Sequence, residues 1–222
     1  MQLGHRFDDA LLYASEAHRS QTRKSTAIPY LGHLLGVAGI AIDHGADEDE
    51  AIAALLHDCP EDQGGQSRLD DIRDRFGARV ANIVEGCSDS LAEDRANKQR
   101  WPERKRAYLR HLAANDDASV FLVSAADKLH NVRSLLSDYA FVGENLWSRF
   151  NPDAGKTGTI RYYRSLANAY ESVRDARLAR IAAEIRATLI RLEDACGASS
   201  DPNLAGGADL LDDADKSAAL ES

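Results

Sequence analysis

Two residues able to bind a metal ion stand side by side at His57 and Asp58, directly after the apolar run AIAALL. A neutral imidazole and a carboxylate are both common ligands of divalent metals. An isolated His-Asp pair is also compatible with a polar pair on a helix surface. The metal hypothesis therefore depends on finding further ligands elsewhere in the chain.

Asp127 and His33 supply two such ligands. Asp127 lies in the hydrophobic segment VFLVSAADKLHN, where a buried carboxylate is costly unless it is paired, hydrogen-bonded or coordinated. The alternative is a salt bridge with Lys128 or Arg133. Two imidazoles with two carboxylates suit Mn, Fe or Zn better than Ca or Mg, and four protein donors leave positions open to water and substrate.

A pair of acidic residues, Glu61 and Asp62, follows His57 and Asp58 and comes directly after Pro60. Proline disfavours helical geometry at the preceding residue, so we expect the helix to break and the acidic pair to lie in a following turn. There the two carboxylates could act as general base and orienting group for a water whose pKa a metal has lowered. Hydrolysis of a phosphate ester or anhydride would follow. The alternative is a solvated acidic turn.

The elements that must position these residues are all predicted to be helices. Apolar residues recur at helical spacing over about 6–20. A second helix contains His33 near its start and stops at Gly45. A third begins at Asp47, which forms a capping-box pattern with Glu50 and leads into His57.

The second half of the chain continues the helical pattern. ASVFLVSAADKLHNVRSLL predicts a central helix, and a long final helix is expected over roughly 159–195. From Gly197 onward Gly, Ala, Ser and Asp dominate, and six acidic residues stand against one lysine. We therefore predict one domain over 1–196 and an acidic, disordered tail over 197–222.

Composition excludes several classes of protein. The formal net charge of −9 over 222 residues argues against a nucleic-acid surface, and no apolar run approaches the roughly 18 residues of a membrane span. The N-terminus lacks the apolar core of a signal peptide. Three scattered cysteines suggest reduced thiols. We expect a soluble cytoplasmic protein, and self-association into a homo-oligomer is compatible with the sequence.

Four ordered segments bear a family resemblance: AHRSQTRKSTAIPYLGHLLGVAGI, ALLHDCPED, FGARVANIVEGCSDS and SAADKLHNVRSLL. Together they resemble the hydrolase domain of RelA/SpoT-type alarmone enzymes, especially the small stand-alone alarmone hydrolases. The resemblance implies an all-α, HD-type helical bundle that usually binds Mn²⁺, although other divalent transition metals suit the same donors. The implied metal ligands are His33, His57, Asp58 and Asp127, and the implied water-activating pair is Glu61 and Asp62.

The resemblance also implies substrate contacts. Arg23 in QTRK matches a nucleotide-contacting basic residue, and Asn131 matches a residue near the substrate ribose. Lys24, next to Arg23, is a further candidate for substrate binding. The alternatives are solvated loop charges for the basic pair, and helix capping or core hydrogen bonding for Asn131. The chain departs from the family pattern at Cys59-Pro60 and by a longer loop over 25–28, and both departures concern specificity.

The function expected from this resemblance is hydrolysis of the 3′-pyrophosphate of (p)ppGpp to GDP or GTP and pyrophosphate. The substrate would be a small nucleotide, with no nucleic acid or membrane as partner. Three alternatives stay open: the same chemistry on an adenosine alarmone or the 2′-phosphate of NADPH, a catalytically idle nucleotide-binding regulator, and a structural helical protein that binds no metal.

Overall fold

The computed structural model describes residues 2–88, 100–207 and 210. The α-helices of these residues are α1 (His5–Ala17), α2 (Leu31–Asp43), α3 (Glu48–Leu56), α4 (Cys59–Gln63), α5 (Gly65–Phe76), α6 (Ala78–Cys87), α7 (Trp101–Ala113), α8 (Ala118–Val142), α9 (Gly155–Ser172) and α10 (Ala176–Ala195). Over the described ranges the only β-type pairing is an isolated antiparallel bridge between Thr22 and Pro29. The all-α prediction is confirmed.

The chain divides into two compact units. The first consists of Met1–Lys98 and Asn115–His130, and the second consists of Gln99–Ala114 and Asn131–Ser222. The predicted metal ligands all belong to the first unit, whereas Asn131 belongs to the second.

Helix α3 forms the centre of the first unit. Its residues from Ala51 to Leu56 are fully buried, and it packs against α1, α2 and α6. The capping box is present as predicted, because the Asp47 side chain accepts from the Glu50 amide at 3.0 Å and Glu50 accepts from the Asp47 amide at 2.7 Å. These bonds satisfy free amides at the helix start and fix where α3 begins.

The chain changes direction directly after α3. His57 is the C-terminal cap of α3, and Asp58 is the first flanking residue of α4, which has Pro60 in its first turn. The predicted break is confirmed. The acidic pair lies on a five-residue helix rather than in a turn, because proline is well tolerated in the first turn of a helix, where its missing amide hydrogen is not needed.

The predicted single long helix over 159–195 is wrong. In the second unit, α9 ends at Ser172, Val173 is extended, and α10 begins after Asp175, whose side chain accepts a hydrogen bond from the Arg177 amide. This aspartate caps a new helix start. Two helices that pack against each other therefore replace one.

The start of the predicted disordered tail is structured. Residues Ala198–Ser200 and Pro202–Gly207 form short 3-10 helices, and the Leu204 side chain is buried. Residue 210 is also described, and Leu210 is buried. The remaining tail residues, 208–209 and 211–222, lie outside the described residues. The domain boundary at 196 stays a prediction.

Candidate metal centre

Three predicted ligands from different elements meet in the first unit. His33 lies in the first turn of α2, His57 ends α3, and Asp58 precedes α4. One ligand atom from each lies within 4.8 Å of the other two. Ligands around one ion at bond lengths of about 2.0–2.2 Å are separated by roughly 3–4 Å, so this spacing fits one metal ion.

Asp127 approaches the same cluster from α8. Its Oδ1 atom lies 3.2 Å from His33 Nε2 and 3.8 Å from His57 Nε2, while Oδ2 pairs with Lys128 Nζ at 2.5 Å. The alternative salt bridge with Lys128 is therefore present, but it engages one carboxylate oxygen and leaves the other facing the two imidazoles. Asp127 stands at the edge of the cluster that the other three form.

A backbone contact determines which nitrogen of His57 is free of a proton and could bind a metal. His57 Nδ1 lies 2.9 Å from the Ala54 carbonyl oxygen, which can only accept, so Nδ1 carries the proton. Nε2 is then unprotonated in the neutral ring. This atom is buried and makes no hydrogen bond to any residue that the structure describes, although Asp58 Oδ2 is 3.0 Å away. A buried nitrogen of this kind, beside two carboxylates, fits a metal ligand.

The opposite charges of His57 and the two aspartates in the cluster shift one another's pKa. Burial lowers the pKa of His57, but the neighbouring Asp58 and Asp127 charges outweigh burial and raise that pKa to about 9. Burial raises the pKa of Asp58, but the charge of His57 outweighs burial and holds that pKa well below its usual value. In the metal-free protein the carboxylates therefore attract a proton, and a metal cation would supply the same positive charge.

The acidic pair, Glu61 and Asp62, lies on α4, whose N-terminal cap is Asp58. Asp62 accepts a hydrogen bond of 2.7 Å from the side-chain amide of Gln21. Glu61 lies on the same helix and is partly exposed. Both residues follow Asp58 within one helical turn, and their action on a water near the metal stays a prediction.

The basic residues occupy the loop before α2. Arg23 is partly buried, and its amide donates to the Ile28 carbonyl at 2.9 Å beside the Thr22–Pro29 bridge. Lys24 is exposed in the turn that follows. Ser25 adopts φ 61°, a left-handed conformation that is uncommon for residues other than glycine. The longer loop over 25–28 is thus a tight turn beside Arg23.

Sequence reasoning missed three side chains that support the predicted site residues. Gln21 contacts Asp62, the Tyr30 hydroxyl donates to Asp58 Oδ2, and His130 Nδ1 lies 2.9 Å from His33 Nδ1. Gln21 and Tyr30 lie in the segment HRSQTRKSTAIPY, which is part of the family resemblance. Their closeness in sequence to the predicted site residues is the signal that could have identified them.

The cysteine next to Asp58 is part of the core. Cys59 is fully buried, its Sγ lies 3.3 Å from His18 Nε2, and burial raises the pKa of the thiol to about 12. A thiolate nucleophile is not available at neutral pH.

Comparison with known proteins gives the site its context. Residues 10–160 match the HD domain family. The chain is 39% identical over 127 residues to a GTP pyrophosphokinase rsh of Brucella melitensis, covering 57% of this chain and 16% of that protein. It is 36% identical over 126 residues to a guanosine-3′,5′-bis(diphosphate) 3′-pyrophosphohydrolase of Danio rerio, covering 55% of this chain and 65% of that protein.

Two solved structures share the fold. One, described as a metazoan ortholog of SpoT that hydrolyzes ppGpp, matches 87% of this chain and 97% of its own with a TM-score of 0.60 and 24% identity. The other, from Listeria monocytogenes, matches 75% of this chain and 99% of its own with a TM-score of 0.59 and 27% identity.

The matches differ in how far they extend. The aligned region is less than two thirds of the length of these curated relatives, whereas the family match covers more than half of this chain and includes all four predicted metal ligands. The described helices also lack the length and apolar character needed to cross a membrane. The chain belongs to the HD domain family.

Proposed function

We propose that this protein hydrolyses the 3′-pyrophosphate of (p)ppGpp in a reaction that depends on a divalent transition metal, with Mn²⁺ as the ion of choice. The observation that supports it most is the meeting of His33, His57 and Asp58 in one buried cluster, with Asp127 Oδ1 3.2 Å from His33. The relatives that share this region are named for synthesis or hydrolysis of guanosine pyrophosphates, which indicates the substrate class.

These four side chains would hold the metal, through two imidazole nitrogens and two carboxylate oxygens. When bound, the ion would lower the pKa of water and neutralise charge that develops on the phosphoryl oxygens. The protein contributes the fixed geometry of the ligands, because all four come from helices or helix ends in one unit. Such preorganisation keeps the donors close together before the ion arrives.

Glu61 would take a proton from the attacking water, and Asp62 would orient that water. The water oxygen bonds to the phosphorus nearer the ribose, the bond from that phosphorus to the 3′ oxygen breaks, and the 3′ oxygen receives a proton. The products are GDP or GTP and pyrophosphate. The hydrogen bond from Gln21 holds Asp62 in one orientation, as expected for a group that must orient a water in a defined position.

Arg23 and Lys24 would bind the anionic pyrophosphate, and Asn131 would contact the ribose. A guanidinium is well suited to phosphate oxygens because its donors are fixed in one plane. The contact of Arg23 with His130 holds the guanidinium within the same unit as the ligand cluster. The role of Asn131 rests on the family resemblance.

A nucleotide panel tests the substrate. Purified protein with Mn²⁺ would be incubated separately with ppGpp, its adenosine counterpart and NADPH, and the products separated by anion-exchange chromatography. We expect pyrophosphate from ppGpp and the highest kcat/KM for this substrate. Faster turnover of either other nucleotide would reassign the substrate, and binding of ppGpp without turnover would indicate a regulator.

A cytoplasmic location and self-association stay predictions.

A further inference from the structure

His130 is the point at which the basic loop and the metal ligands meet. Its Nδ1 atom lies 2.9 Å from His33 Nδ1 and 3.4 Å from Arg23 Nη1. The His33 and His130 rings pack edge to face, with their centroids 4.8 Å apart and their planes at 67°. One nitrogen therefore contacts both a predicted metal ligand and a predicted substrate-binding residue.

The chemistry of Arg23 decides which atoms carry protons. A guanidinium has only donors, so His130 Nδ1 must accept in that contact and is unprotonated. The proton in the 2.9 Å contact then belongs to His33 Nδ1. In the neutral ring, His33 Nε2 keeps its lone pair, and this is the atom that lies 3.5 Å from Asp58 and 3.2 Å from Asp127. His33 thus adopts the tautomer with the proton on Nδ1, which is also the tautomer that the Ala54 carbonyl imposes on His57.

The position of the His130 ring is fixed by the backbone of α2. A Cβ atom at Gly36 would lie 2.3 Å from Cδ2 and 2.4 Å from Nε2 of His130. Only glycine allows the ring this close. Gly36 stands one helical turn after His33 on α2, so the helix that presents the metal ligand also provides the surface on which its partner rests.

We infer that His130 is a positioning residue that fixes the proton on His33 Nδ1 and orients the Arg23 guanidinium. The inference rests on the metal centre proposed above. Partners of metal-binding histidines normally accept the second ring proton and so aim the first nitrogen at the ion. Here a second imidazole has that role, and its contact with Arg23 joins metal binding to phosphate binding.

A matched pair of substitutions separates hydrogen bonding from packing. In His130→Asn the amide oxygen can occupy the place of Nδ1, whereas in His130→Gln the additional methylene carries it to the place of Nε2. Neither variant is larger than histidine beside Gly36. His130→Phe keeps the ring and removes the acceptor. His5→Phe, on the exposed start of α1, controls for the loss of a histidine.

The primary readout is Mn²⁺ affinity, measured from free Mn²⁺ by electron paramagnetic resonance, with circular dichroism melts as a check on folding. We expect His130→Phe and His130→Gln to weaken Mn²⁺ binding by about 10–100-fold, as for other partners of metal-binding histidines. His130→Asn should recover most of the affinity. KM for ppGpp should rise in the same two variants because Arg23 loses its contact with His130 Nδ1. His5→Phe should match the wild type.

The outcomes separate this inference from the proposed function. Wild-type protein that binds no Mn²⁺ would overturn the metal centre and this inference with it. Wild-type protein that binds Mn²⁺, with equal affinity in the Asn and Gln variants, would overturn the role of His130 and leave the metal centre standing. If His130→Phe does not fold, the Asn and Gln pair alone decides the matter.

Discussion

The side-chain amide of Gln21 donates a hydrogen bond of 2.7 Å to Oδ2 of Asp62, although 41 positions separate the two residues. The amide oxygen of Gln21 accepts from Gln63 Nε2 at 2.5 Å and lies 2.8 Å from His18 Nδ1. Both ends of this amide are therefore held. Asp62 receives its orientation from the loop before α2 as well as from its own helix.

Removing this donor is expected to slow the reaction without changing metal binding. Gln21→Leu should lower kcat by about tenfold to a hundredfold, since a hydrogen bond to a charged group is worth about 1.5–3 kcal/mol. Steady-state kinetics and Mn²⁺ titration would measure the two quantities. Gln66→Leu, on the exposed face of α5, is the matched control. An unchanged kcat in Gln21→Leu would exclude a role for this hydrogen bond.

Mn²⁺ should stabilise the folded protein through Asp58. At a concentration one hundred times its Kd, a ligand of the folded state alone adds about 2.7 kcal/mol to the free energy of unfolding. Urea denaturation with and without Mn²⁺ would measure this gain. Asp58→Asn should abolish it, and Asp74→Asn, an exposed residue of α5, should keep it. An equal gain in both variants would place the metal elsewhere.

Mn²⁺ binding is expected to release protons. The pKa of His57 is about 9 in the metal-free protein against an ordinary value of 6.5, and a metal ligand must be unprotonated. Mn²⁺ affinity should therefore rise with pH until the pH reaches about 9. Calorimetry at pH 7.5 in buffers of different ionisation enthalpy would count the protons. Binding without proton release would contradict the raised pKa of His57.

The same raised pKa of His57 makes a pH-dependent contribution to the stability of the metal-free protein. A group whose pKa is higher in the folded state stabilises that state fully below its unfolded pKa. We expect this contribution to be present below about pH 6.5 and to be lost as the pH rises towards 9. Denaturation of the chelator-treated protein across this range is the measurement. A free energy of unfolding that increases from pH 7 to 9 would contradict the prediction.

Glu61 should affect the rate and not the metal. Glu61→Gln is expected to bind Mn²⁺ normally and to lower kcat by about 10²–10⁴-fold, the usual contribution of a general base. Glu16→Gln, at an exposed position of α1, is the matched control. Full activity in Glu61→Gln would assign the proton transfer to another group.

Local signals explain what could be predicted from the sequence. Three signals act through a few neighbouring residues: the capping box at Asp47, the helix stop at Gly45 and the proline that follows Asp58. In the structure, α2 ends and α3 and α4 begin where these signals indicate. The break at Val173 was missed because apolar residues continue at helical spacing on both sides, and only the cap at Asp175 marks the new start.

The partners of the site residues could not be predicted in this way. His130 contacts His33 across 97 positions, and its ring fits only because Gly36 has no side chain. Nothing local to His130 shows this. The pairing of Tyr30 with Asp58 likewise depends on the path of the chain between α1 and α2. Ligand types were visible in the sequence, whereas the contacts that orient them arise from tertiary packing.

Isotope labelling of the products tests the central claim most directly. Mn²⁺-loaded protein would be incubated with ppGpp in ¹⁸O-water, and GDP and pyrophosphate would be analysed by mass spectrometry. The account predicts equimolar GDP and pyrophosphate, with the label in the pyrophosphate and no products from Asp58→Ala. Absence of pyrophosphate, label in GDP, or undiminished turnover by Asp58→Ala would contradict it.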